Sequence, residues 1–275
     1  MTDAGRIEAT FARLQAEGRT GLVVFVTVGY PDVEATLRLV PALVAGGADI
    51  VELGVPFSDP LAEGPTIQAS TFHALEQGVT AATCLEVARK LRSGDAVVPL
   101  VLMGYYNPIL AYGQERFCRD AADAGVDGLI VVDLPPEESA PLRDLCLAAG
   151  LRLIYLLAPT STDERIAEVG KLAGGFIYCV SVTGVTGARD ELAPDLEAFV
   201  ARVRRHTDLP IAVGFGISQP KHFRAVARVA DAAVIGSAII DEVRKASEDG
   251  ADPSEQAARL KHYAEVVTGR RRAAT

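Results

Sequence analysis

Eight short runs dense in Val, Ile, Leu and Ala recur along the chain, at residues 21–28, 50–53, 97–103, 128–132, 151–157, 176–180, 210–213 and 232–235. Each is followed by residues with helical spacing of apolar positions: 33–45, 66–77 with 81–91, 114–124, 137–149, 163–172, 195–205, 219–229 and 237–246. Strands apolar at nearly every position leave no face for water, as in a parallel sheet covered on both sides by helices. Eight such units predict an α/β protein closed into a (β/α)8 TIM barrel, with an open doubly wound sheet as the alternative. An amphipathic helix over 1–18 precedes the first unit and another, over 254–267, follows the last. No low-complexity linker divides the sequence, so residues 1–275 are expected to form a single barrel domain with an extra N-terminal helix.

The connections are unequal. Segments leaving strands are rich in Gly, Pro, Asp and Thr, whereas segments entering them are short, such as AGG, AGVDG and AGL. Barrel active sites are built on the loops after the strands, which gathers Glu52, Asp59, Glu63, Asp133 and the loop from Ser181 on one face. Glu52 lies inside an apolar strand, where an ionised acid without a partner is costly and its pKa is driven upward. Such an acid either works in catalysis or points outward and pairs with an Arg. A second signal is glycine at three successive strand ends: Gly187, the run GFGIS at 214–218, and Gly236 before Ser237. Glycine allows close backbone approach and a helix N-terminus favours an anion, so these positions suit a phosphate, although each glycine could simply serve a tight turn.

Composition removes several classes of function. A net charge of −9 argues against a nucleic-acid partner, and Arg270, Arg271 and Arg272 read as a solvated tail. Cys84, Cys118, Cys146 and Cys179 are widely spaced with no CxxC pair, which suggests reduced, core-filling thiols in a cytoplasmic protein and no structural metal. No apolar run is long enough for a membrane span, and residues 1–18 do not have the pattern of a signal peptide. The five lysines avoid strand ends, so a Schiff base is not expected. His73, His206, His222 and His262 fall in helical segments and read as surface residues, which leaves a metal-dependent aldolase without ligands. Neither a Walker sequence nor a strand-turn-helix GxGxxG is present. What remains is carboxylates, an anion cradle and the apolar residues Phe25, Leu102, Met103, Tyr105, Ile130 and Tyr178, a set suited to proton transfer on a phosphorylated substrate with an apolar end.

The segments FVTVGYPD, VELGVPFSDPLAEGPTIQ, DLPPEES, SVTGVTGA, GFGIS and GSAII, spanning residues 25–240, resemble the tryptophan synthase α-subunit family. The second segment, with SDP and GPTIQ at fixed spacing, is the most specific. The resemblance implies a (β/α)8 barrel that cleaves indole-3-glycerol phosphate to indole and glyceraldehyde 3-phosphate. It implies no cofactor in this chain, pyridoxal phosphate being expected on a β partner within an α2β2 heterotetramer. By the same resemblance Glu52 is the catalytic glutamate, Phe25 belongs to the indole pocket, and Tyr178 is the tyrosine of the sixth strand. Thr186 is the threonine of the sixth loop, closing against Asp59. Gly187, Gly216, Gly236 and Ser237 match phosphate contacts, and Pro56, Asp59, Asn107 and Pro135 match positions facing the β partner. One position departs: the family usually has Asp in LADGP, and this chain has Glu63 in LAEGP. The carboxylate is kept but its reach changes by roughly an ångström, a displacement that can cost about a hundredfold in rate.

The expected chemistry is a retro-aldol cleavage in which Glu52 protonates indole C3 and accepts the hydroxyl proton while Glu63 hydrogen-bonds the indole N1–H. Three readings compete with a complexed lyase: a sugar-phosphate epimerase or isomerase, a subunit that chiefly activates a β partner, and a free-standing indole-releasing lyase. The isolated chain is expected to be a monomer until it meets its partner.

Overall fold

The computed structural model describes residues 5–94, 97–180, 195–214 and 216–270. Eight strands, β1 (Gly21–Thr27), β2 (Ile50–Gly54), β3 (Leu100–Gly104), β4 (Gly128–Val131), β5 (Arg152–Leu157), β6 (Ile177–Val180), β7 (Ile211–Gly214) and β8 (Ala232–Ile235), pair in parallel in chain order. β8 returns to β1, with Leu22 opposite Ala233 and Val24 opposite Ile235, so the sheet closes and the open-sheet alternative is excluded.

Because side chains alternate along a strand, each strand feeds two cores. Leu22, Val24, Val51, Leu53, Leu100 and Leu102 face outward and pack beneath the helices. Val23, Phe25, Ile50, Val101, Met103, Ile130, Ile154, Tyr178, Ala212 and Val234 form the lumen cluster. Glu52 stands opposite Phe25 and Val101 in the register and therefore shares the lumen parity. The N-terminal helix Arg6–Ala16 closes the floor of the lumen with Ile7, Phe11 and Leu14, and the Phe11 and Phe176 rings meet at 5.7 Å. All four cysteines are buried and unbridged.

Several local readings are corrected. β3 begins at Leu100 and not at residue 97, since Val97 is 78% exposed and Pro99 has no N–H to add to a ladder. The stretch after β3, which looks like a loop, contains a helix, Tyr106–Tyr112. Its third residue, Pro108, is tolerated because first-turn N–H groups have no helical partner, and one of those orphans, Tyr106 N–H, donates to the Asp133 carboxylate at 2.7 Å. That cap comes from the loop after β4 and is invisible in local sequence. Arg270 is no solvated tail: it donates to the Gly47 carbonyl at 2.7 Å and pairs with Asp49 at 3.4 Å. His222 is not a surface residue either, being 3% exposed.

Candidate active site

Glu52 is 1% exposed, and neither carboxylate oxygen has a hydrogen-bond partner among the described residues. The alternative of an outward acid paired with Arg therefore fails. Burial first, and the charge of Glu63 second, push its pKa up to about 8. Glu63, 8% exposed, is raised by burial to about 7. Both line the same cleft at the C-terminal end of the barrel.

The loop that carries Glu63 is braced at each step. Leu61 N–H donates to the Asp59 carbonyl at 2.9 Å, Glu63 N–H to the Pro60 carbonyl at 3.1 Å, and Ala62 N–H to the Tyr105 hydroxyl at 2.9 Å. The Gln68 amide donates to the Glu63 carbonyl at 2.9 Å, and Phe57 stacks on Tyr105 with ring centroids 5.0 Å apart. Gly64 and Pro65 then start the helix Pro65–Glu76, the ring taking a position where no N–H is needed.

Apolar walls surround the acids: Phe25, Ile67, Met103, Tyr178 and Val234. Two strand-end glycines make room for the rings. A Cβ on Gly54 would lie 2.4 Å from Phe25 Cζ, and one on Gly214 would lie 2.3 Å from the Tyr178 hydroxyl. Gly214, grouped by sequence with the anion cradle, thus serves the packing of Tyr178. That phenol is pushed well above its ordinary pKa by burial and then by the charges of Glu52 and Glu63, so it stays protonated. Leu102 and Ile130, expected at the apolar end of the site, belong to the outer core and the lumen cluster without lining the cleft, and Tyr105 acts on the loop behind Glu63. Ile217, within the GFGIS run, also lines the cleft, as do Ile67 and Val234, neither of them expected there from the sequence; the alternation of β8 could reveal Val234, but no local signal marks Ile67.

In the same cleft as the acids, Gly216, Gly236 and Ser237 supply the rim expected for an anion. Gly216 has φ +82°, a conformation that favours glycine, and Ser237 opens the helix Ser237–Glu248 with Gly236 as its N-cap. No Lys or Arg is among the described lining residues, so an anion here would be held by backbone N–H groups and the helix dipole. Thr186 and Gly187 lie outside the described residues, and with them the proposed closure of Thr186 on Asp59. Of the partner-facing positions, Asp59, Asn107 and Pro135 are exposed near the mouth, whereas Pro56 is buried and presents no surface. Asp133 caps a helix and does not join the acids. Among the described residues no group of three His, Cys, Asp or Glu side chains could hold a metal, and no helix is long and apolar enough to cross a membrane.

A closed barrel that buries two protonatable acids in one cleft with a glycine-lined rim belongs to the class of phosphate-handling (β/α)8 enzymes. Sequence comparison narrows the class: the family described as "Tryptophan synthase alpha chain" matches residues 11–268, and the chain belongs to that family. It is 54% identical over 240 residues to the tryptophan synthase alpha chain of Chloroflexus aggregans, covering 87% of this chain and 90% of that one. To the alpha chain of a Roseiflexus species it is 51% identical over 264 residues, 96% of this chain and 99% of the relative. Among solved structures, the tryptophan synthase subunit alpha of Legionella pneumophila superimposes with a TM-score of 0.86 at 36% identity, covering 96% of this chain and 99% of that one. A structure of Mycobacterium tuberculosis tryptophan synthase gives a TM-score of 0.87 at 35% identity over 97% and 98% of the two chains.

Proposed function

We propose that Glu52 and Glu63 perform, in this chain, the α-chain reaction of tryptophan synthase, the cleavage of indole-3-glycerol phosphate to indole and glyceraldehyde 3-phosphate in tryptophan biosynthesis. The observation that carries the assignment is Glu52 itself, an acid 1% exposed in the lumen with no hydrogen-bond partner among the described residues. With its pKa near 8 it holds a proton at neutral pH and can deliver it to indole C3. Glu63, which titrates lower, accepts the N1–H hydrogen bond as a carboxylate and stabilises the indolenium cation. Glu52, now ionised, takes the proton of the adjacent side-chain hydroxyl; the carbon–carbon bond breaks, its electrons return to the indole ring, and the aldehyde forms. The proton count is unchanged over the cycle. Every step is proton transfer within reach of a carboxylate, so the chain is assigned no cofactor of its own, and pyridoxal phosphate is placed on the β partner.

Phe25 and Met103 supply the wall for the indole ring, Tyr178 packs beside Glu52, and the rim of Gly216, Gly236 and Ser237, joined by Gly187, receives the phosphate. Alpha chains of this family work with a β subunit, and we assign this chain to an α2β2 heterotetramer in the cytoplasm. The docking face is the mouth around Asp59, Asn107 and Pro135, where Leu61 is 83% and Leu110 46% exposed. The test is indole release from indole-3-glycerol phosphate by the purified chain, alone and with a tryptophan synthase β subunit. Slow release that rises sharply with the partner is expected. Strong release alone would favour a free-standing lyase, and stimulation of the β subunit without any release would leave only a binding subunit.

A further inference from the structure

Ser218 lies two residues past Gly216 on the rim and lines the cleft, yet its backbone is committed elsewhere. Its N–H donates to His222 Nδ1 at 3.3 Å, and its carbonyl accepts from the Tyr263 hydroxyl at 2.9 Å. His222 sits on the short helix Pro220–Val226 that follows the loop, 3% exposed. Tyr263 belongs to the last helix, Pro253–Val267, remote in sequence, and its hydroxyl remains a donor because burial, followed by the charges of Glu242 and Asp241, raises its pKa. Ser218 is therefore held through both of its flanking peptide groups by side chains from two different helices.

The grip matters because of how the rim is built. With no Lys or Arg among the described lining residues, the anion would be bound by backbone N–H groups, whose value depends on where they point before the ligand arrives. The loop contains Gly216 at φ +82°, a residue with more freedom to lose than any other, so without an anchor the N–H directions would spread. Ser218 N–H is occupied by His222 and serves as that anchor, not as a donor to the ligand.

We propose that His222 and Tyr263 are positioning residues that hold the loop after β7 in its phosphate-binding shape by clamping Ser218 through the peptide groups on either side of it. The proposal rests on the reading of the rim as the phosphate site. It is tested with the full chain in the presence of its β subunit, by steady-state indole release and by calorimetric titration of inorganic phosphate into the chain. Tyr263→Phe and His222→Phe are expected to raise KM about tenfold, the scale of one hydrogen bond, and to weaken phosphate binding by a similar factor, with kcat within about twofold of the parent. His222→Asn, whose side-chain oxygen replaces Nδ1 at the same distance from Cβ, should restore KM. Unchanged KM and phosphate affinity in a folded Tyr263→Phe chain would overturn the clamp, as would kcat and KM changing together with the melting temperature. Gly216→Ala separates the two levels. If it leaves phosphate affinity intact, the rim reading itself fails; if it abolishes binding while the His222 and Tyr263 variants bind normally, only the clamp fails.

Discussion

Asp49 lies just before β2 and Glu52 at its centre, three residues apart, and the barrel treats them in opposite ways. Asp49, 3% exposed just before β2, accepts from Leu22 N–H at 3.0 Å and from both terminal nitrogens of Arg19 at 2.9 Å, with Arg13 and Arg270 at 3.3 and 3.4 Å. Burial alone would raise its pKa, but the hydrogen bonds from Arg19 and Leu22 and the charges of Arg19 and Arg270 hold it below its ordinary value. The device recurs. Asp127, before β4, takes Leu100 N–H at 2.8 Å with Arg6 and Arg92 at 2.9 Å, and Asp231, before β8, takes Ile211 N–H at 2.7 Å with Arg204 at 2.8 Å. At the floor an acid ties a strand start to its neighbour; nearer the mouth Glu52, as inaccessible as Asp49, has no such tie among the described residues. Burial does not decide what a carboxylate does; the donors around it do, and the floor holds the fold while the mouth keeps a transferable proton.

The contrast is most sharply broken by Glu52→Gln, expected to lower kcat by about a thousandfold or more while substrate affinity stays near the parent value; retained turnover would remove Glu52 from the reaction. The same variant tests stability in the opposite sense. Folded Glu52 keeps its proton to about pH 8, whereas unfolded it releases it near 4.5, so the parent loses stability as pH rises between those values. At pH 9 the Gln variant should unfold at higher denaturant, by on the order of a few kcal/mol, and at pH 4 the two should coincide.

Asp49→Asn should do the reverse: turnover kept, stability lowered by about 3 kcal/mol in urea melts at pH 7, since it leaves clustered arginines without their acid. For the parent, the contribution of Asp49 is present above its unfolded value of 3.8 and fades as pH falls below it. A turnover loss in a folded Asn variant would blur the division between floor and mouth. Glu63→Gln is expected to lower kcat about a hundredfold. It should also abolish the acid limb of a pH profile that otherwise falls below about 7, as Glu63 gains a proton, and above about 8, as Glu52 loses one. Glu63→Asp should cost about tenfold, because the loop braced at Ala62 and Gln68 fits the longer side chain; faster turnover would show that the shorter acid is the better fit. The smallest effect is expected at Asp231→Asn, below about 1 kcal/mol, because this carboxylate is 38% exposed.

Much of the barrel is legible in the sequence because strand and helix periodicity are local properties, and the helices Val33–Ala45 and Asp163–Leu172 and the strand Ala232–Ile235 fall where the pattern puts them. The helix Tyr106–Tyr112 is not legible, since Asp133 caps it from another loop. Glu52 can be noticed because an acid inside an apolar run is conspicuous, but its lack of a partner is settled only by what the closed sheet brings near it. Arg270 looks like a surface residue for the same reason: Asp49, its ion-pair partner, is remote in sequence and comes from the folded geometry. The roles of Gly54 and Gly214 depend on rings from neighbouring strands, which no single segment can disclose.

The helix Arg6–Ala16 gives the barrel a direction of traffic. With Ile7, Phe11 and Leu14 sealing one end, the lumen is a blind well. Whatever reaches Glu52 descends from the rim, and whatever is made there climbs back by the same way. A protein seated over that rim would stand between the reaction and bulk water, and would be the first thing an apolar product meets.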